Sequence, residues 1–152
     1  MKIDIPELSL VALIGTADSG KAAFAEKYFR RDEVLSFECF EEEALARLYG
    51  EAEKRLRDAK LTVIDTQNTK AQDRKDIIAL AKKQDFFPVA ILFSVLDTEK
   101  QQADSLRILE QEGFRYIYNL TSKEAVETAE VVRTKLYNNK RDIHGPFDII
   151  GD

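Results

Sequence analysis

Gly15-Thr16-Ala17-Asp18-Ser19-Gly20-Lys21-Ala22 stands between an apolar run and a helical pattern that begins at Ala22. That context suits a phosphate-binding loop. Its glycines let backbone N–H groups curl around an anion, the helix N-terminus adds partial positive charge, and Lys21 reaches the outer phosphates. The ligand implied is the phosphate chain of a nucleotide. Two positions weaken the match. Ala22 stands where a Ser or Thr hydroxyl would sit on the magnesium ion, and Asp18 puts a carboxylate into the anion cradle. At ~4 Å and an effective dielectric of about 20, like charges repel by roughly 4 kcal/mol. A tight strand-to-helix turn that binds nothing is the competing reading of the same residues.

A second polar group gathers at Asp65, Asn68, Asp73 and Arg74, after another apolar run. Ligands of α/β sheets sit at the carboxyl ends of strands, so these residues are candidates for a rim beside the loop. Asp73 and Arg74 fit a helix surface equally well. Glu41-Glu42-Glu43 suits the first turn of a helix electrostatically without any ligand, and Lys27, Arg30 and Arg31 suit a helix C-terminus. Cys39 and His144 are the sole residues of their types, which excludes an internal disulfide and leaves too few soft ligands for zinc. His144 has no catalytic partner at a recognisable spacing. Phe86 and Phe87 precede an apolar run and read as packing rather than as a base-stacking platform.

The elements that must position these groups alternate along the chain. β-rich runs fall at 8–14, 33–37, 61–65, 88–94 and 114–120, each followed by a helical pattern, which predicts a parallel sheet with helices on both faces. The runs around Val11 and Ile91 are nearly all apolar and belong at its centre. Leu45, Leu48, Tyr49, Ala52 and Leu56 predict an amphipathic helix over 41–59, and Ile77, Ile78 and Ala81 another over 70–83. Thr121 and Glu124 have capping-box spacing ahead of Ala125, Ala129, Val132 and Leu136, which predicts a last helix through 136. The domain is expected to span 1–137, with a polar segment over 138–152.

The chain has 152 residues, 44% of them hydrophobic and 34% charged, enough apolar side chains for a core and too many for a disordered tail. A formal net charge of −5 withholds the positive field on which most non-specific nucleic-acid affinity depends, so nucleic-acid binding is expected to be weak or absent without a local basic patch. The apolar run at 8–14 is too short for a membrane span and poorly flanked for a signal peptide, so the expected compartment is the cytoplasm.

Several stretches resemble the N-terminal kinase module of bacterial polynucleotide kinase-phosphatases. They are Ile5-Pro6-Glu7-Leu8-Ser9-Leu10-Val11 before the loop, Leu61-Thr62-Val63-Ile64-Asp65 with Asn68, Phe87-Pro88-Val89-Ala90, and Glu112-Gly113-Phe114-Arg115-Tyr116. Asn138-Asn139-Lys140 and the run from Gly145 to Asp152 resemble the junction with that family's metallophosphatase module. The resemblance implies a P-loop kinase-like α/β sandwich with a mainly parallel five-stranded sheet. It also implies an ATP- and magnesium-dependent 5′-hydroxyl kinase, with a metallophosphatase domain as partner.

On that resemblance Lys21 contacts the β and γ phosphates, Asp65 is the candidate magnesium ligand, Glu38 aligns with the general base, and Asn68 and Arg74 lie on the acceptor side. Glu38 replaces the family's Asp, and the extra methylene shifts the base by about an ångström, a displacement capable of costing ~100-fold in rate. Glu41 replaces an acceptor-binding Arg. The family's basic lid is missing: only a segment over 98–112, with Lys100 and Arg107, joins Ser94 to Gly113. Losses at Asp18, Ala22, Glu38, Glu41 and the lid all touch one reaction, so a degenerate kinase module is expected. An active polynucleotide kinase and a protein-binding scaffold are the alternatives.

Overall fold

A computed structural model describes residues 1–36, 42–134 and 148–151. Glu38, Cys39, Glu41 and His144 therefore lie outside the described residues. The order of elements is β1 (Lys2–Pro6), β2 (Ser9–Ile14), α1 (Lys21–Tyr28), β3 (Val34–Leu35), α2 (Glu42–Arg57), β4 (Thr62–Ile64), α3 (Ala71–Lys83), β5 (Phe87–Phe93), α4 (Glu99–Glu112), β6 (Tyr116–Leu120), α5 (Lys123–Thr128), β7 (Glu130–Thr134) and β8 (Asp148–Gly151). Short 3-10 turns cover Ala17–Ser19 and Arg31–Glu33.

The five strands expected from the sequence form a parallel sheet in the order β3-β4-β2-β5-β6, with β2 and β5 inside it. These two strands are buried along their whole length, as expected when helices cover both faces. Alternate residues feed opposite cores. Val11, Leu13, Val89 and Ile91 join Phe24, Ala25 and Ala125 from α1 and α5. Leu10, Ala12, Ala90 and Leu92 meet Leu48, Ala52, Leu56, Ile77, Ile78 and Leu109 from α2, α3 and α4. The chain leaves β2 for β3 and β4 on one side, then crosses to β5 on the other. Its topological switch point therefore lies at the carboxyl end of β2, where the glycine-rich loop begins.

Three strands extend this plan. β1 pairs in parallel with β7, Ile3 opposite Val131 and Ile5 opposite Arg133, and both isoleucines are fully buried against the α1 face. The Tyr118 hydroxyl donates to the Asp4 carbonyl at 2.6 Å and the Tyr28 hydroxyl to that of Ala129, tying this ribbon to the domain. The helix expected through 136 stops at Thr128, because β1 supplies Val131 and Val132 with a strand partner that their β-branched side chains suit. Its N-cap is Ser122 rather than Thr121, with the Ser122 hydroxyl accepting from the Ala125 N–H at 3.0 Å. β8 adds a sixth parallel strand beside β6, so the sheet continues into the segment set apart at 138–152.

Candidate functional site

The loop between β2 and α1 is shaped by two glycines. Gly15 has φ 152°, and a Cβ there would stand 2.9 Å from both the Phe93 carbonyl oxygen and the Ser19 hydroxyl. Only glycine fits between those groups. Gly20 holds φ 93° immediately before the helix, a left-handed conformation that costs a side chain roughly 1–2 kcal/mol. Between them Thr16, Ala17 and Asp18 are exposed, while Ser19 is buried and closes the turn on itself. Its hydroxyl and N–H both donate to the Thr16 carbonyl, at 2.6 and 3.2 Å.

Lys21 opens α1 and is only 5% exposed. Its ammonium donates to the Thr66 carbonyl at 2.6 Å and lies 3.4 Å from the Asp65 carboxylate. Burial lowers the Lys21 pKa below 10.5, and the attraction of Asp65 opposes that shift without cancelling it. The lysine thus runs from the start of α1 to the carboxyl end of β4, where its charge is held by Thr66 and Asp65 inside the fold.

The remaining expected residues divide. Asp65 follows β4 and, with Ala22, Glu26, Arg31 and Ser36, borders a cleft of about 700 Å³ between α1 and β3. Ala22 thus faces the same space as Asp65 but offers no oxygen. Of the two magnesium ligands a phosphate-binding loop would bring together here, the hydroxyl is replaced by the Ala22 methyl and the Asp65 carboxylate is shared with the Lys21 ammonium, while Glu26 and Ser36 border the same cleft. Among the described residues no three His, Cys, Asp or Glu side chains converge as a metal site. Asp18 is exposed and borders the groove between α1 and α5 together with Ser19, Gly20, Lys27 and Lys123.

Asn68 and Arg74 border separate clefts, Arg74 one that also reaches Gly15 and Thr16 and Asn68 one that runs over Thr66 to Lys70, and both are tied into the fold. Asn68 is 2% exposed and its side-chain amide is bonded to the carbonyls of Leu13, Ile64 and Thr66. Arg74 is buried too, bidentate on the Glu112 carboxylate at 2.7 and 3.0 Å and donating to the Asn68 carbonyl at 3.1 Å. It fastens α3 to the end of α4. A smaller cleft of about 220 Å³ opens beside α4, lined by Gly15, Thr16, Ser19, Arg74, Leu96 and Ile108 among others. Neither Lys100 nor Arg107 from α4 is part of that lining, and Arg107 is exposed beside Asp104.

No protein-family model matches the chain, and no curated protein matches it. Among solved structures, it is similar to a chain described as a "putative kinase from Chloroflexus aurantiacus j-10-fl". The TM-score is 0.47 and the identity 14%, over 89% of this chain and 94% of that one. At that level the likeness adds nothing to the functional reading; the α/β fold stands on the chain's own strand order.

Sequence reasoning missed Thr66 and Gln67. Both act through backbone carbonyls, Thr66 on Lys21 and Gln67 on the Gly15 N–H at 3.0 Å, and a backbone group leaves no mark in residue type. The signal that was available is Asn68, a residue type that tolerates the φ of 54° it adopts at the end of this turn.

Proposed function

We propose that this chain is a kinase-like P-loop module that binds the polyphosphate of a nucleotide at Lys21, with phosphoryl transfer weak or lost. The observation that carries the reading is the buried Lys21 ammonium just past the carboxyl end of β4, between the Thr66 carbonyl and Asp65. In finer detail, the reading is a degenerate relative of the 5′-hydroxyl kinase module of polynucleotide kinase-phosphatases, with a metallophosphatase domain as partner. The resemblance over Leu61 to Asp65, over Glu112 to Tyr116 and over Gly145 to Asp152 supports it. Ala22 in place of a hydroxyl residue and the lack of a base from α4 in the cleft beside Gly15 and Thr16 support the loss of transfer.

Without a metal the chain's own groups account for binding and no more. Lys21 neutralises an outer phosphate, the Gly15–Gly20 loop supplies backbone donors, and Asp65 competes with the ligand for Lys21. Calorimetric titration with ATP, with and without magnesium, tests this. Saturable heat that is insensitive to magnesium and lost in Lys21→Met is expected, with no labelled 5′ ends formed from γ-labelled ATP and a 5′-hydroxyl oligonucleotide. Labelled ends at steady turnover would establish an active kinase instead. An absence of heat up to millimolar ATP would favour a protein-binding scaffold, the reading that exposed Leu96 and Ile108 beside that cleft support, at 64% and 49% exposure.

A further inference from the structure

We infer that Asn68 is a positioning residue for the Lys21 ammonium, acting through the turn at 65–68; this deepens the reading of Lys21 as the phosphate-binding group. The turn holds the loop at three places. The Asn68 amide donates to the Leu13 carbonyl at 2.8 Å, next to the end of the strand that feeds the loop. The Gln67 carbonyl accepts from the Gly15 N–H at the loop's first residue. The Thr66 carbonyl accepts from Lys21 at 2.6 Å.

Asn68 sets the relative placement of all three. Its amide also reaches the Ile64 carbonyl at 3.1 Å, joining the ends of adjacent strands β2 and β4, and the Thr66 carbonyl at 3.3 Å. Its Oδ1 accepts from the Thr66 hydroxyl at 2.6 Å, so the residue whose carbonyl bears Lys21 is gripped at side chain and backbone together. From the other side Arg74, anchored on Glu112, donates to the Asn68 carbonyl. Glycine would hold φ 54° with no steric cost, so what asparagine adds here is its side-chain bonds rather than its backbone. Asn68 is buried and needs no contact with a ligand to act: if the turn moves, Thr66 moves, and Lys21 moves with it.

The test reads Lys21 directly. In ¹⁵N-lysine-labelled protein, the Lys21 ammonium signal is assigned by its disappearance in Lys21→Arg, and its chemical shift and proton-exchange rate are followed in Asn68→Gly. The expected result is a cooperatively folded variant in which the signal shifts, its protons exchange faster, and ATP affinity falls about tenfold, the size of a weakened hydrogen bond to a charged group. A folded Asn68→Gly with lowered thermal stability but an unmoved Lys21 signal would overturn the inference, because a merely structural asparagine behaves that way. Should Asn68→Gly fail to fold, Thr66→Val, which removes only the hydroxyl bond to Oδ1, is read by the same criteria: a shifted signal supports positioning and an unchanged one refutes it. Failure of the unmodified protein to bind ATP would sink the P-loop reading alone, since the Lys21 signal decides positioning without any ligand.

Discussion

Glu33 and Arg133 form one ion pair across the domain, Lys21 and Asp65 another, and burial weighs differently on each. Glu33 is 1% exposed, accepts from both terminal nitrogens of Arg133, and takes the Arg30 N–H at 2.8 Å as well. Burial alone would raise its pKa. The bonds from Arg133 and Arg30 outweigh that, and the carboxyl is held below 4.5. Lys21 meets its carboxylate at 3.4 Å, and for it burial wins over pairing. The first pair therefore clamps the 3-10 turn at Arg31–Glu33 to β7 and stabilises the fold, whereas the second keeps a charge buried at a net cost. On the proposed reading, a bound phosphate would supply the partner that Asp65 supplies incompletely.

The contrast breaks most visibly at Glu33. Glu33→Gln is expected to cost about 3 kcal/mol, limited by the 35% exposure of Arg133, and urea denaturation at pH 7 measures it. A loss near zero would remove the clamp from the comparison. The same carboxyl gives a pH signature: its folded pKa is depressed, so its contribution is present above pH 4.5 and fades as pH falls through the folded value. The stability gap between wild type and Glu33→Gln should therefore narrow on acidification below pH 4.5.

Gly15→Ala comes next. A Cβ 2.9 Å from the Phe93 carbonyl forces backbone to move and should cost about 2 kcal/mol while abolishing ATP heat. Normal binding in a folded Gly15→Ala would show that the loop is not the cradle. Arg133→Lys tests whether the clamp owes its strength to bidentate geometry, with about 1 kcal/mol lost although the charge is kept.

The smallest effect has the opposite sign. Lys21→Met combined with Asp65→Asn removes the costly pair and should stabilise the fold by about 1 kcal/mol at pH 7 while eliminating ATP binding. Because the folded Lys21 pKa is lowered, the unfolded chain binds more protons between that value and 10.5, and the wild type gains stability as pH rises through this window. The advantage of the double variant should thus shrink toward pH 10.5. Thermal unfolding at paired pH values reads it, and a double variant less stable than wild type would make the two pairs alike.

Much of this frame was legible because its signals are local. The span of α2 follows from Leu48, Ala52 and Leu56 at helical spacing, and α3 begins within a residue of where the pattern places it. β1 was overlooked although Lys2-Ile3-Asp4-Ile5 alternates, a period that a strand with one buried face produces. β7 was concealed for a better reason. Ala125, Ala129 and Val132 mimic helical spacing, and only the arrival of β1 from the other end of the chain makes a strand the better solution for Val131 and Val132. Asn68 and Arg74 read as a ligand rim because polar residues after a strand often are one. The structure adds what no single sequence displays, that both are buried and brace the turn while bordering clefts beside the loop.

By itself the sequence determined the strand, the glycine turn, the lysine at the helix start and the alanine that follows it, because each depends on neighbouring residues and on side-chain chemistry written in the chain. Only the tertiary structure decided what Lys21 faces. Thr66 is 45 residues away and reaches it because strand order sets β4 beside β2, and the balance of burial against pairing that separates this pair from Glu33 and Arg133 exists only once that sheet has closed over both.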